Sequence, residues 1–262
     1  MSNLDGRIAL VTGAARGLGA GIATALAKNG ATVVLTDVSD ATETAQKIAA
    51  DTGATTWATA LDITDRTAAG ALCEQIVERH GKLDVLVNNA GIMQKFSNLS
   101  DVSAEDVARI LEVNLGGPIA VSAAAIPHIT RKTGRIINMA SQYGVQGRPG
   151  VAIYCASKAG VIGMTQSLAL ELAAEGITVN AGCPGTHLTG MLLDRFHGEA
   201  EEQGLPPEAA TRLIDEFAEA TIPVGRIGTA EDVGAIVAWI ASPDASFSTG
   251  ASFNVAGGET LF

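Results

Sequence analysis

Arg7-Ile8-Ala9-Leu10-Val11-Thr12-Gly13-Ala14-Ala15-Arg16-Gly17-Leu18-Gly19 is the stretch whose reading decides the fold. Arg7 to Val11 is a short, continuously apolar run, which reads as a strand covered on both faces. A glycine-rich turn follows, and Leu18 to Asn29 reads as a helix. In that order, glycines allow a tight turn and let backbone N–H groups approach a pyrophosphate closely, while the start of the helix favours an anion. Outward from this unit the same rhythm continues. Further strands are expected at Thr32 to Thr36, Thr55 to Ala60, Leu83 to Val87, Arg135 to Met139, Ile177 to Ala181 and Ser252 to Val255. Helices are expected at Thr42 to Asp51, Arg66 to His80, Ala104 to Leu115, Tyr154 to Glu175 and Ala230 to Ala241. This alternation predicts an α/β chain: a Rossmann-type, doubly wound, seven-stranded parallel sheet with helices on both faces. No linker divides it, so residues 1–262 read as a single dinucleotide-binding catalytic domain. Thr186 to Pro223 breaks the rhythm with polar, acidic text and is read as a substrate lid, the alternative being a plain insertion.

Composition excludes several classes. Hydrophobic residues make up 47% of 262 and charged residues 17%, which excludes a disordered or coiled-coil chain. Thirty glycines and only 4% aromatics mean that small side chains let sheet and helices approach closely. A net charge of −11 argues against nucleic acid or an anionic membrane surface as partner. No uninterrupted apolar run approaches about 18 residues, so no membrane span is expected. The polar start lacks the pattern of a signal peptide, and Cys73, Cys155 and Cys183 read as reduced thiols, which together predict a cytoplasmic location. His80, His128, His187 and His197 form no HxxxH or His/Cys cluster, so no metal is expected.

Polar residues at the carboxyl ends of the predicted strands line the expected ligand crevice. Asp37 closes the second strand, where a carboxylate accepts hydrogen bonds from an adenosine ribose and repels a 2′-phosphate, so the cofactor is expected to be NAD rather than NADP. Arg16 pulls the other way, because a guanidinium can hold a 2′-phosphate. Asp62, with Ile63 beside it, ends the third strand and reads either as a crevice residue or as a turn former. Asn88-Asn89-Ala90-Gly91 ends the fourth. Tyr154 and Lys158 stand at i, i+4 on one helix face. A free phenol titrates near pH 10, so a base working near neutrality must be made more acidic by about 3–4 kcal/mol. One cation at ~4 Å and an effective dielectric of ~20 supplies up to about 4 kcal/mol, and a cationic oxidised nicotinamide would add to it. Ser141 ends the fifth strand, without GxSxG flanks, and can hold the reacting oxygen. Asn114 is an asparagine in a predicted helix, where it is a poor former.

The set TGAARGLG (Thr12 to Gly19), Asp37, Asp62, NNAG (Asn88 to Gly91), Asn114, Ser141, YCASK (Tyr154 to Lys158), CPG (Cys183 to Gly185) and GRIGTAEDVGAIVAWIASPDASFSTG (Gly225 to Gly250) resembles the short-chain dehydrogenase/reductase family in its single-domain branch. The resemblance implies that Tyr154 is the acid/base, and that Lys158 holds the nicotinamide ribose and lowers the phenol pKa. It implies too that Ser141 binds the substrate oxygen and that Asn114 supports a water relay. The cofactor set it implies comprises Gly13, Arg16, Gly17, Leu18, Gly19, Asp37, Asp62, Ile63, Asn89, Ala90, Gly91, Tyr154, Lys158, Pro184, Gly185, His187 and Thr189. His187 departs from the family's usual aliphatic residue, and Ala256 stands where an acidic residue is common.

CPGTHLTGML and the terminal GGETLF resemble the sugar-alcohol and small-diol dehydrogenases, including acetoin reductases. Ser141, Gln142, Gln146, Arg148, Tyr154, His187 and Arg195 are the expected substrate contacts, polar enough for a small hydroxylated, even anionic, molecule; for the lid residues the alternative is solvated charge. The expected activity is NAD-dependent oxidation of a secondary alcohol on a polyol, vicinal diol or sugar, in carbohydrate metabolism. A 3-oxoacyl thioester reductase using NADPH and a non-catalytic dinucleotide sensor are the alternatives. The resemblance also implies a homotetramer.

Overall fold

Seven short strands carry the apolar runs: β1 (Ile8–Thr12), β2 (Thr32–Asp37), β3 (Thr56–Ala60), β4 (Val85–Asn88), β5 (Arg135–Met139), β6 (Thr178–Pro184) and β7 (Ser252–Val255). In the computed structural model, which describes residues 3–262, they form one sheet in the order β3-β2-β1-β4-β5-β6-β7. Every pairing is parallel. Nine α-helices accompany them among the described residues: α1 (Gly17–Lys28), α2 (Thr42–Thr52), α3 (Arg66–His80), α4 (Ala104–Leu111), α5 (Gly117–Ala125), α6 (Ala152–Leu172), α7 (Gly190–Glu202), α8 (Ala209–Thr221) and α9 (Ala230–Ala241).

The continuous apolarity of the strands has a direct cause: both faces are covered. Ala9, Val11, Val33, Leu35, Ile137 and Met139 pack with residues of α1, α2 and α9. Ile8, Leu10, Val34, Ile136 and Val179 point the other way, against α3, α5 and α6. Glycine sets the tightest helix contact. A Cβ on Gly21 would lie 2.4 Å from the Ala230 Cβ, and one on Gly234 would lie 2.8 Å from the Ala25 Cβ, so α1 and α9 meet nearly backbone to backbone.

Two segments differ from the expectations. The helix expected over Ala104 to Leu115 is α-helical only to Leu111, widens to π-helix over Glu112–Gly116, and resumes as α5. Pro118 does not end it, because the ring falls in the first turn of the resumed helix, where its missing N–H matters least. The joined stretch Ala104–His128, 25 residues, is long and apolar enough to cross a membrane by length and composition. Glu112 and Asn114 interrupt its apolar run, and Ile110, Val121 and Ala125 are buried inside the protein. The second difference is the expected lid, which is helical. Leu192, Phe196, Ala210 and Ile214 of α7 and α8 form a small core of their own, with Phe196 edge-on to Phe217 at 5.7 Å. The i, i+4 spacing of Leu192 and Phe196 is hard to see among so many charged neighbours.

Gly234→Val should lower stability by about 1–3 kcal/mol, because the added carbons have no room. Gly70→Ala, where a Cβ meets nothing within 4 Å in α3, should leave stability unchanged or raise it. Urea midpoints of the two variants against the parent protein check both.

Candidate active site

β1 is flanked by β2 on one side and β4 on the other, so the chain crosses over in opposite directions from it and a crevice opens at the carboxyl ends of β1 and β4. Thr12 fastens the two loops that leave there. Its Oγ1 accepts from the N–H groups of Asn89 (3.0 Å) and Ala90 (3.1 Å). Asn89 Nδ2 donates back to the carbonyls of Thr12 and Gly13, both at 3.0 Å. The Asn89 side chain thus holds loop to loop.

The glycine loop fits a dinucleotide phosphate. Gly13 and Gly17 have φ of +64° and +58°, the left-handed region that disfavours side chains. A Cβ on Gly19 would lie 2.0 Å from the Gly13 carbonyl oxygen and 2.6 Å from Asn89 Nδ2. Above Gly17 a Cβ would meet nothing within 4 Å, so backbone alone faces that opening. The first turn of α1 has no acidic residue, and Arg16 at its N-cap makes no side-chain cap, which leaves the helix N–H groups open to an anion. Arg16 is exposed, while Leu18 packs on the core.

Asp37 ends β2 with both carboxylate oxygens oriented by backbone: Oδ2 accepts from Ala15 N (3.1 Å) and Oδ1 from Ser39 N (3.0 Å). Asp62 is exposed, and its Oδ1 accepts from the N–H and hydroxyl of Thr64, which hold its pKa below the usual carboxylate value. That is the turn-forming arrangement among the two readings of Asp62. Ile63 is buried against Gly117.

The candidate reactive groups converge from four elements. Lys158, in α6, is buried, and its Nζ donates to the Met139 carbonyl at 2.8 Å and lies 5.7 Å from the centre of the Tyr154 ring. A Cβ on Gly91 would touch Asn114 Oδ1 at 3.1 Å and Lys158 Nζ at 3.5 Å, so glycine there leaves both groups their space. Asn114, fully buried in the π-helical turn, accepts from Ile92 N (2.7 Å) and donates to the Ile92 carbonyl (2.8 Å) and Ser157 Oγ (3.4 Å). A π-turn in a helix commonly marks a functional site. Ser141 Oγ accepts from Tyr143 N at 3.1 Å. Beneath them a buried chain of amides and hydroxyls joins β4, β5, α5 and α6: Asn88 Nδ2 donates to Ser122 Oγ and Asn138 Oδ1, and Asn138 Nδ2 to Thr165 Oγ1.

Desolvation is the largest influence on both members of the Tyr154/Lys158 pair. Burial pushes Tyr154 up to about 12, with a hydrogen bond from Ser141 pulling it back. Burial also lowers Lys158 to about 8. At Tyr154 desolvation outweighs the hydrogen bond to Ser141.

Several expected contacts are not brought together. His187 is buried, its Nδ1 lies 3.0 Å from the Gly185 carbonyl, and its ring packs against Gly228, where a Cβ would lie 2.5 Å from Nε2. Burial lowers its pKa, and its side chain is turned inward against Gly228. Arg195 stacks over Phe196 and Phe217 at 4.9 and 5.3 Å from their ring centres, so it covers the small helical core rather than reaching a substrate. Gln142 is buried and its Oε1 accepts from Thr260 Oγ1 at 2.7 Å. Gln146 and Arg148 are exposed on the turn beyond it. Pro184 ends β6, Gly185 N donates to the Val255 carbonyl, and Thr189 caps α7 by accepting from Leu192 N. Glu259 holds Thr186 through the Thr186 N–H (2.8 Å) and hydroxyl (2.9 Å). Gln94 carries no sequence signal, and Thr12, Glu259 and Thr260, although they lie in the quoted motifs, act through contacts distant in the chain that the motifs do not reveal.

Comparison with known proteins places this arrangement. The family profile described as Enoyl-(Acyl carrier protein) reductase matches residues 13–260. Sorbitol dehydrogenase of Cereibacter sphaeroides is 36% identical over 98% of this chain and 99% of its own length. The 3-oxoacyl-[acyl-carrier-protein] reductase FabG of Haemophilus influenzae is 38% identical over 98% of this chain and 100% of its own. Among solved structures, a blue fluorescent protein from a metagenomic library, crystallised in complex with NADPH, superposes with a TM-score of 0.84 at 34% identity, covering 99% of this chain and 100% of that one. With its glycine loop, NNAG turn and Tyr/Lys pair carried on a seven-stranded parallel sheet, the chain belongs to the short-chain dehydrogenase/reductase family of oxidoreductases.

Proposed function

We propose that this protein is an NAD-dependent dehydrogenase that interconverts a secondary alcohol and its ketone on a polyol, vicinal diol or sugar. The observation that carries the reading is the convergence of Ser141, Tyr154 and a buried Lys158 beside an open glycine loop. The residues that would hold the dinucleotide are the backbone of Gly13 to Gly19 at the pyrophosphate, Asp37 at the adenosine ribose, Asp62 and Ile63 near the adenine, Ala90 and Gly91 along the crevice, and Pro184, Gly185, Thr189 and the main chain of His187 at the nicotinamide. When bound, its oxidised ring supplies a hydride acceptor and a positive charge. Ser141 holds the substrate oxygen, and Tyr154 Oη takes the hydroxyl proton as the carbinol is oxidised. Lys158 keeps a cation beside the forming phenolate, and Asn114 fixes the loop that walls Lys158 in. The helices of the 186–223 segment are the substrate lid in this reading.

A carboxylate oriented by two backbone donors at the end of β2 supports NAD over NADP, because a 2′-phosphate there would face a negative charge. A second reading, a 3-oxoacyl thioester reductase using NADPH, is favoured by the similarity to FabG and the NADPH-bound neighbour. The homotetramer belongs to this proposal, supported by Leu111, Ile119 and Leu170, which α4, α5 and α6 leave exposed. So does a cytoplasmic location, supported by three free thiols.

A panel of polyols, diols, sugars and sugar acids, followed by NADH formation at 340 nm, should return a secondary-alcohol substrate; activity confined to acyl thioesters with NADPH would select the second reading. Tyr154→Phe should lower kcat by about 10²–10⁴-fold while leaving dinucleotide binding, read by fluorescence titration, unchanged. The rate of alcohol oxidation should climb with pH, since the deprotonated phenol is the base. Removing the cation with Lys158→Met raises the phenol pKa and should move that limb to higher pH. Asp37→Ala should erode the preference for NAD, and an unaltered NAD/NADP ratio of kcat/KM would refute the assignment of Asp37.

A further inference from the structure

The loop after β4 carries a buried side chain that the chemistry above does not use. Gln94 is 3% exposed. Its Oε1 accepts from two backbone donors in the first turn of α6, Ile153 N at 3.0 Å and Tyr154 N at 3.1 Å. Val151, at the N-cap of that helix, contributes no side-chain cap, so the start of the helix bearing Tyr154 is capped from another part of the chain. Two N–H donors at one atom leave no doubt about which end of the amide is oxygen, because an amide nitrogen cannot accept them. Nε2 therefore holds the two remaining donors, and it is buried with no protein partner among the described residues. Buried donors are normally paired. The loop is pinned on both sides of Gln94: Ile92 is tied to Asn114, and Ser97 N donates to the Gly150 carbonyl at 3.0 Å. Gln94 is thus fixed next to Tyr154, with an unused donor that wants an oxygen.

The geometry points to Gln94 as the residue that recognises a second oxygen of the substrate, on the carbon next to the reacting carbinol or ketone, by donating from Nε2 while Oε1 caps the helix that presents Tyr154. The inference rests on the proposed dehydrogenase reading and gives it a substrate class: vicinally oxygenated compounds over simple secondary alcohols. A site built to hydrogen-bond a substrate oxygen discriminates against an analogue that lacks it, because the donor is then left unpaired.

Ketone reduction tests it, since a second carbonyl can only accept. With NADH, kcat/KM for butane-2,3-dione and for butan-2-one is measured in the parent protein, in Gln94→Glu, which keeps an acceptor for the helix but loses the donor, and in Gln94→Met, which loses both. The dione/monoketone ratio should fall about tenfold or more in Gln94→Glu, mainly through the KM of the dione, with butan-2-one turnover largely retained. Gln94→Met should lose the same preference and also turn over butan-2-one more slowly. If both ketones lose rate equally in both variants, Gln94 is only a cap and the inference fails; an unchanged ratio in both overturns it as well. Should Gln94→Glu unfold, as read by its melting temperature, the ratio in Gln94→Met decides by the same criterion. A parent protein that reduces no ketone with either dinucleotide sinks the dehydrogenase reading itself, whereas an active parent with an unaltered ratio sinks only the role of Gln94.

Discussion

A single ammonium taken out of water sets the terms for the whole site. Lys158 is 5% exposed and has the Met139 carbonyl as its hydrogen-bond acceptor. Isolating an ammonium in this way costs free energy, which is why its pKa falls to about 8. The same dry surroundings hold the Tyr154 proton on more tightly, up to about 12. The two groups are poised against each other: a cation that would give up its charge to escape burial, and a phenol that would keep its proton for the same reason. A positive charge entering the crevice favours the phenolate, and it is the phenolate's negative charge that in turn holds the proton on Lys158.

Such a pair needs rigid support, and the fold supplies it with hydrogen-bonded polar groups packed beneath and beside the site. Asn88, Asn138, Ser122 and Thr165 link two central strands to the two helices below the site. Thr12 and Asn89 lock the glycine loop to the NNAG turn. Asn114 fits its side chain to both backbone groups of Ile92, and the π-helical turn lets it do so without ending the helix. Buried networks of this kind hold geometry well because each broken link leaves an unpaired polar group in a dry environment.

Much of the layout is legible in the chain. Arg66–His80, Ala230–Ala241, Arg135–Met139 and Ser252–Val255 begin and end where local pattern puts them, because each is bounded by clear turn chemistry and has a consistent period. The helical content of 186–223 is not legible, since its apolar positions are few and their partners, Leu192 and Phe196 on one helix and Ala210 and Ile214 on the next, stand on separate elements. Expectations for single side chains fare worst where they concern direction. His187 and Arg195 are polar and near the right segment, yet one turns inward against Gly228 and the other lies over two phenyl rings.

Periodicity and glycine placement, both local properties of the chain, determine by themselves the alternating α/β order and the parallel sheet, as well as the strand-loop-helix unit at its centre. Which residues meet is a different matter. The cap of Gln94 on a helix 60 positions away, the clasp of Thr12 on Asn89, the link from Gln142 to Thr260 and the direction in which burial moves Tyr154 and Lys158 are decided only when the sheet is assembled. Hydrogen-bond pairing and desolvation depend on distance and water exclusion in space, and neither is a function of spacing along the chain.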